Sequence, residues 1–292
     1  MPSQELELLE SHACFAGRME RYQHDSRQCQ GPMRFSVFIP AHSADETLPV
    51  LTFLAGLTCN EETFMIKAGA QRYAAELGLI LVAPDTSPRH TGIAGEDDDW
   101  DFGTGAGFYL DATATPWDAH YRMFSYVTDE LPALIARHFP VQGKAQGICG
   151  HSMGGHGALV CGLRKSGQYQ SISAFAPVSA PSQTPWGQKA FSSYLGADTG
   201  QWQAYDSLAL LQEKAGQSHP PILIDQGRAD PFLEVELKTG YLEALNDPRL
   251  TLRWHDLYDH SYFFISSFIS DHLAFHARHL GAVRRSDPHN VR

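Results

Sequence analysis

Residues 150–154 read Gly-His-Ser-Met-Gly, and their surroundings constrain the chain more than the motif alone. Ahead of them, residues 145–149 (Ala-Gln-Gly-Ile-Cys) have the look of a short strand. Behind them, residues 155–163 (Gly-His-Gly-Ala-Leu-Val-Cys-Gly-Leu) have the small-residue pattern of a closely packed helix. A strand that reverses into a helix at a serine forces that serine into a strained backbone conformation. Glycines two residues to either side give the room such a turn needs. The helix that follows points its N-terminal N–H groups toward the oxygen on the turn. A serine that merely fills a turn needs neither flank. The spacing therefore marks Ser152 as a nucleophile raised on an elbow at the end of a strand.

Apolar runs at Leu48–Leu54 and at residues 79–83, 171–175, 221–225 and 250–254 read as buried strands. Helical patterns alternate with them at residues 61–77 (broken near Gly69), 121–138 (kinked or restarted at Pro132), 190–195, 234–245 and Tyr262–Leu280. Residues 6–22 and 33–39 read as antiparallel strands leading in. This alternation predicts a mostly parallel central sheet with helices on both faces. With the elbow, it predicts the α/β-hydrolase fold, an α/β class architecture preceded by antiparallel N-terminal strands. The 292 residues, 43% of them hydrophobic, show no linker, repeat or low-complexity stretch, so a single domain over residues 1–292 is expected, with a frayed polar tail at 284–292. Residues 86–117 lack periodicity, but Trp100, Phe102, Phe108 and Tyr109 predict an ordered, functional loop.

A serine hydroxyl is a weak nucleophile until a base removes its proton, and in this fold the order along the chain is Ser, acid, His. The loop after the strand at 221–225 offers Asp225, Asp230 and Glu234. Asp230 is favoured because it lies further out, and Asp225, at the strand's end, is better suited to pinning the loop. The loop after the strand at 250–254 offers His255 and His260. His260 is favoured because it directly precedes the last helix, from which its ring can reach Ser152; His255 reads as structural. An oxyanion hole needs two backbone N–H donors. Met153, next to the nucleophile, supplies one, and Leu57, in the loop Ala55-Gly56-Leu57-Thr58-Cys59-Asn60, is the choice for the other. Asn60 as a helix cap is the plainer reading of that loop.

The net charge of −11 argues against nucleic acid and anionic membrane as partners. The five cysteines (Cys14, Cys29, Cys59, Cys149 and Cys161) are odd in number and form no C-x-x-C pair, which points to a reducing cytoplasm. The first residues lack a secretory signal, and no apolar run of about 18 residues occurs. His272, His276 and His279 have helical spacing but no acidic or cysteine companions, so a solvated helix face is expected and no metal site. The run Glu96-Asp97-Asp98-Asp99 is expected to be a solvated loop.

The sequence resembles the S-formylglutathione hydrolases, also called esterase D. The residues that carry the resemblance are the elbow through Ala158, Gly56-Leu57-Thr58-Cys59, the loop Trp100-Asp101-Phe102-Gly103-Thr104-Gly105-Ala106-Gly107-Phe108-Tyr109, Pro185-Trp186-Gly187, Asp225 to Asp230, and Asp259-His260-Ser261-Tyr262-Phe263-Phe264. Ala55 and His90 stand where the family commonly has serine and glycine. The resemblance implies a Ser152–Asp230–His260 triad, Leu57 and Met153 as oxyanion donors, and hydrolysis of the formyl thioester of glutathione without metal or other cofactor, in a cytoplasmic, often dimeric protein. Trp186, His151 and Cys59 are candidates for contact with this small-molecule thioester, Trp186 as a wall of a tight acyl pocket. Arg89, Lys67, Lys189 and Arg228 are candidates to offset the substrate's negative charge, although solvated surface cations are the simpler expectation. A general short-chain carboxylesterase, or an acyltransferase of the same fold, is the alternative; a non-catalytic binding protein would be expected to lack a triad member.

Overall fold

The computed structural model describes residues 5–282, in which nine strands form one mixed sheet. In chain order they are β1 (Glu7–Cys14), β2 (Gly17–Ser26), β3 (Gly31–Ile39), β4 (Leu48–Leu54), β5 (Ile80–Pro84), β6 (Val141–His151), β7 (Tyr169–Phe175), β8 (Ile222–Gly227) and β9 (Leu250–His255). Their spatial order is β1-β2-β3-β5-β4-β6-β7-β8-β9. The first three strands pair antiparallel, β3 joins β5 antiparallel, and β5, β4, β6, β7, β8 and β9 run parallel. Every residue of β4 and of β5 is buried, as befits parallel strands covered on both faces. This is the α/β-hydrolase architecture that the alternating pattern predicts.

The sheet's order decides where chemistry can occur. From β4 the chain moves outward to β5, then returns to lay β6 on the other side of β4. The loops that leave β4 and β6 therefore diverge from a shared crevice at the strands' C-terminal ends, the switch point at which open α/β sheets bind ligands.

Helices α1 (Ala70–Leu77), α2 (Leu131–His138), α3 (Met153–Arg164), α4 (Pro185–Tyr194), α5 (Ser207–Glu213) and α6 (Tyr262–Leu280) are the longer ones. On β6, Gly147 faces His276 of α6, while the next residue, Ile148, faces Gly162 of α3. Adjacent strand residues point to opposite faces, so α3 and α6 cover the two sides of the sheet. Among the described residues no helix is long and apolar enough to cross a membrane.

Several elements differ from their expected extents. Residues 6–22 hold most of two strands rather than one, joined by a turn at Phe15 and Ala16, both at positive φ (46° and 58°). The helix expected at 61–77 divides at Gly69, whose φ of 67° ends one helical run and starts α1. The pattern at 121–138 carries a π turn at Tyr126–Glu130, after which α2 begins with Pro132 in its first turn. Helix α4 starts five residues before the expected 190: the Thr184 side chain accepts from the Gly187 N–H, and Pro185 opens the first turn. The helix expected at 234–245 is two short turns, separated by Lys238 at φ 53°. The expected frayed tail at 284–292 lies outside the described residues.

The expectation of a solvated histidine face on the last helix is wrong. His272 and His276 are fully buried against the sheet, and only His279 of the three is exposed. His276 lies between the hydroxyls of Ser171 (2.7 Å) and Ser173 (2.8 Å), which point to the same face of β7. His272 stacks on Phe175 at 3.8 Å. Burial holds both imidazoles below their ordinary pKa, so neutral rings fill a polar seam between helix and sheet. Glu96 also departs from expectation: it is buried, and its carboxylate accepts from the Thr91 hydroxyl (2.5 Å) and the Gly92 N–H (3.0 Å), knitting the long loop together. Asp97, Asp98 and Asp99 are exposed as expected.

Candidate active site

Ser152 sits between β6 and α3 with φ 58° and ψ −121°, a strained conformation for a residue with a side chain. A Cβ on Gly150 would collide with the backbone of Gly154, and one on Gly154 would collide with the Leu54 carbonyl at the end of β4. Both glycines of the motif are thus demanded by backbone packing against backbone. The Ser152 N–H donates to the Phe175 carbonyl (3.0 Å), and its own carbonyl accepts from the His156 N–H (3.0 Å), which fixes the turn from both sides. Buried His156 sits behind the elbow with Nε2 3.1 Å from the Phe108 carbonyl; burial lowers its pKa to about 4.

The loops after β8 and β9 are laced together. The Arg228 N–H donates to the His255 carbonyl (2.9 Å), and the Ala229 N–H donates to the Tyr258 carbonyl (3.0 Å). This brings Asp230 and His260 together, with Nδ1 of His260 2.6 Å from Oδ2 of Asp230. The other carboxylate oxygen, Oδ1, accepts from the Phe232 N–H at 2.9 Å. The ring of His151, the residue before the serine, lies 4.5 Å from the His260 ring. The Ser152 hydroxyl forms no hydrogen bond to His260 among the described residues. Free hydrolases commonly hold this contact long and tighten it on substrate.

The competing pair goes elsewhere. Asp225 is completely buried, and Arg253 of β9 grips both its oxygens at 2.6 Å. His255 and His272 approach it at 3.3 and 3.4 Å. Burial alone would raise its pKa; hydrogen bonding by His272 and Arg253 outweighs burial and holds it well below the usual carboxylate range. It is a strand-to-strand ion pair that pins the loop. Among the described residues, no group of three or more His, Cys, Asp or Glu side chains is placed to hold a metal.

The loop after β4 faces the elbow so closely that a Cβ on Gly56 would lie 3.2 Å from Ser152 Cβ. The segment 86–117 holds this loop by its backbone. The Tyr109 hydroxyl donates to the Ala55 carbonyl (2.9 Å), and the Thr86 hydroxyl and the Arg89 guanidinium donate to the Cys59 carbonyl (2.6 and 3.1 Å). The Thr58 N–H donates to the Gly105 carbonyl (3.0 Å) and the Cys59 N–H to the Gly56 carbonyl (3.3 Å). The long loop is ordered, as its aromatics predict.

Two flanks of different chemistry reach His260. On one, Phe232 meets the His260 ring edge to face at 5.1 Å, Trp186 packs on Phe232 at 4.9 Å, and exposed Trp100 packs on Trp186 at 5.7 Å. Phe232 escaped the sequence reading, although Asp230-Pro231-Phe232 is a turn in which the aspartate accepts from the residue two further on. On the other flank stand His151, Tyr262, Cys59 and Lys67. Burial pushes the Cys59 thiol up from its ordinary pKa. Of the four candidate cations, Arg89 pairs with Asp85 (2.6 Å), Lys189 with Asp101 (2.5 Å) and Arg228 with Asp256 (3.2 Å). Lys67 has no ion pair among the described residues; its ammonium is 5.8 Å from the Tyr262 ring. A partly buried imidazole with a buried carboxylate behind it, beside a strained serine at a helix N-terminus, can perform acyl transfer through a covalent intermediate.

The Esterase family model matches residues 26–275 of the chain. The S-formylglutathione hydrolase of Mus musculus is 48% identical over 281 residues, 95% of this chain and 99% of the mouse protein. That of Rattus norvegicus is 47% identical over 95% of this chain and 100% of its own length. The solved structure of an S-formylglutathione hydrolase from Agrobacterium tumefaciens superposes with a TM-score of 0.90 at 46% identity, covering 94% of this chain and all of that one.

Proposed function

The chain belongs to the Esterase family, among its S-formylglutathione hydrolases, and on that premise we propose that it hydrolyses S-formylglutathione to glutathione and formate. The observation that carries this reading is the 48% identity with such a hydrolase along 95% of the chain. In the reaction, Ser152 attacks the formyl carbonyl as His260 takes its proton. Asp230 orients the imidazole through the 2.6 Å bond and stabilises its charged form. The oxyanion forms against the N–H groups of Leu57 and Met153. In support, the amides of Thr58 and Cys59 are committed to other carbonyls, and Met153 opens α3, where N–H groups lack partners within the helix. His260 then returns the proton to the departing sulfur, and water releases formate from the formyl-serine. Only side chains, backbone and water take part.

Phe232 and Trp186 keep the acyl side narrow, which favours a formyl group and short-chain esters. Residues 5–282 are built on one sheet, and we read the chain as a single catalytic domain. All five cysteines are free thiols, in keeping with a cytoplasmic setting, and likeness to the family favours a homodimer, which light scattering on the eluting protein checks. The deciding assay compares kcat/KM for S-formylglutathione with that for p-nitrophenyl acetate and a long-chain ester. The thioester should be strongly preferred and the long-chain ester poorest. A long-chain ester cleaved faster than acetate would refute the narrow acyl site, and no turnover of the thioester would refute the assigned reaction.

A further inference from the structure

Three polar groups line one side of the His260 imidazole with their hydrogen-bonding or ion-pairing capacity unmet. His151 is 5% exposed, yet neither ring nitrogen has a hydrogen-bond partner, and the buried Tyr262 hydroxyl has only the weakly polar Cys59 thiol beside it. Their rings are 5.9 Å apart, and the unpaired Lys67 ammonium follows at the surface, 5.8 Å from the Tyr262 ring. Buried donors and acceptors left unmatched are costly, and natural proteins keep few of them. Burial, and then the adjacent His260, keep His151 neutral, so its ring offers one donor and one acceptor.

Resting on the proposed thioester activity, the substrate's own chemistry selects what fills this side. A formyl group has one polar atom, its carbonyl oxygen, and the oxyanion donors take it. The leaving sulfur must come within hydrogen-bond reach of His260, which protonates it. That sulfur is carried by a cysteine side chain whose amide groups lie a few bonds further on. The ring 4.5 Å from His260 is where those amides arrive. We propose that His151 and Tyr262 form a subsite that hydrogen-bonds the peptide groups flanking the cysteine of the thiol half, and that Lys67 receives one of that half's carboxylates. Discrimination for a peptide thiol over a simple alcohol leaving group thus resides on this flank.

The test uses His151→Phe, which keeps the ring and removes its nitrogens, and His151→Gln, which restores a donor and an acceptor. Kinetics are measured with S-formylglutathione and p-nitrophenyl acetate, together with the Ki of reduced glutathione against ester hydrolysis. Fluorophosphonate labelling of Ser152 verifies a folded site in each variant. In the Phe variant the ratio of thioester to ester kcat/KM should fall about fivefold to tenfold, the worth of one neutral hydrogen bond. The glutathione Ki should rise by a similar factor, and the Gln variant should recover most of both. Lys67→Ala should raise the same Ki, less so at high salt. A proportional loss with both substrates and an unchanged Ki would overturn the subsite, as would wild-type ester hydrolysis indifferent to glutathione. Failure of the assigned reaction is separable: a wild type inert toward the thioester but inhibited by glutathione, with inhibition weakened by His151→Phe, supports the subsite and refutes only the assigned reaction.

Discussion

Asp230→Asn tests the orientation of the base more sharply than its removal would. The Phe232 N–H, 2.9 Å from Oδ1, needs an acceptor there, so the amide oxygen of an asparagine takes that position. The amide NH2 is then directed at Nδ1 of His260 from the place of Oδ2, where the carboxylate now accepts at 2.6 Å. Nδ1 must become the acceptor, which moves the ring proton to Nε2 and leaves no lone pair to take the proton of Ser152. Loss of tautomer and of charge stabilisation together lower kcat by about 10³–10⁴. Asp225→Asn is the matched control on the neighbouring carboxylate. It leaves Arg253 half paired and a completely buried site uncompensated, costing about 3 kcal/mol of stability after allowance for the partial exposure of Arg253, with activity per folded molecule retained. Chemical denaturation and steady-state kinetics on both variants separate the two effects. An Asp230→Asn enzyme that keeps a tenth of its activity, or a stably folded Asp225→Asn enzyme that loses it, would refute the assignment.

Gly154→Ala should cost more than 3 kcal/mol and prevent accumulation of folded protein, because the new methyl meets the fixed Leu54 carbonyl, whereas Gly143→Ala, with open space at its Cβ, should be silent; thermal melts decide. His156 is neutral in the folded protein with a pKa of about 4, against about 6.5 unfolded, so the unfolded chain binds the extra proton. Its stabilising contribution of about 3 kcal/mol is full above pH 6.5 and is lost as pH falls toward 4. Unfolding free energies between pH 4 and 7 should therefore decline less steeply on acidification in His156→Gln; an unaltered slope would exclude this residue as a source of acid lability. Alkylation at Cys59 should inhibit slowly at neutral pH and faster as pH rises, since burial disfavours its thiolate, and Cys59→Ala should abolish that inhibition; inhibition that persists would assign it to another thiol.

The elbow, the parallel strands and the last helix were legible in the sequence because each is set by local pattern. The buried runs of β4 and β5 and the start of α6 just after His260 needed nothing from elsewhere in the chain. The misread histidines depend on partners far along it. Nothing near His276 in sequence announces that Ser171 and Ser173 stand opposite, more than a hundred residues earlier. The hint lay in pairing two observations: serines two apart on a strand and histidines four apart on a helix share complementary faces. Glu96 was hidden within an acidic run because two of its partners, at Thr91 and Gly92, are backbone N–H groups, which composition does not display. The expected helix at 234–245 failed because apolar periodicity is blind to a single left-handed residue such as Lys238.

The segment 86–117 grips the carbonyls of Ala55 and Cys59 at either end of the loop that carries Leu57. The two sides of the crevice are consequently unequal as material for change. The Trp186–Phe232 side, proposed above to hold the acyl group, is fashioned from side chains, and recutting it moves no backbone donor. The opposite side is main chain held in place by the Tyr109, Thr86 and Arg89 side chains, so mutations in that distant stretch register first as slower chemistry and only afterwards as altered choice of substrate.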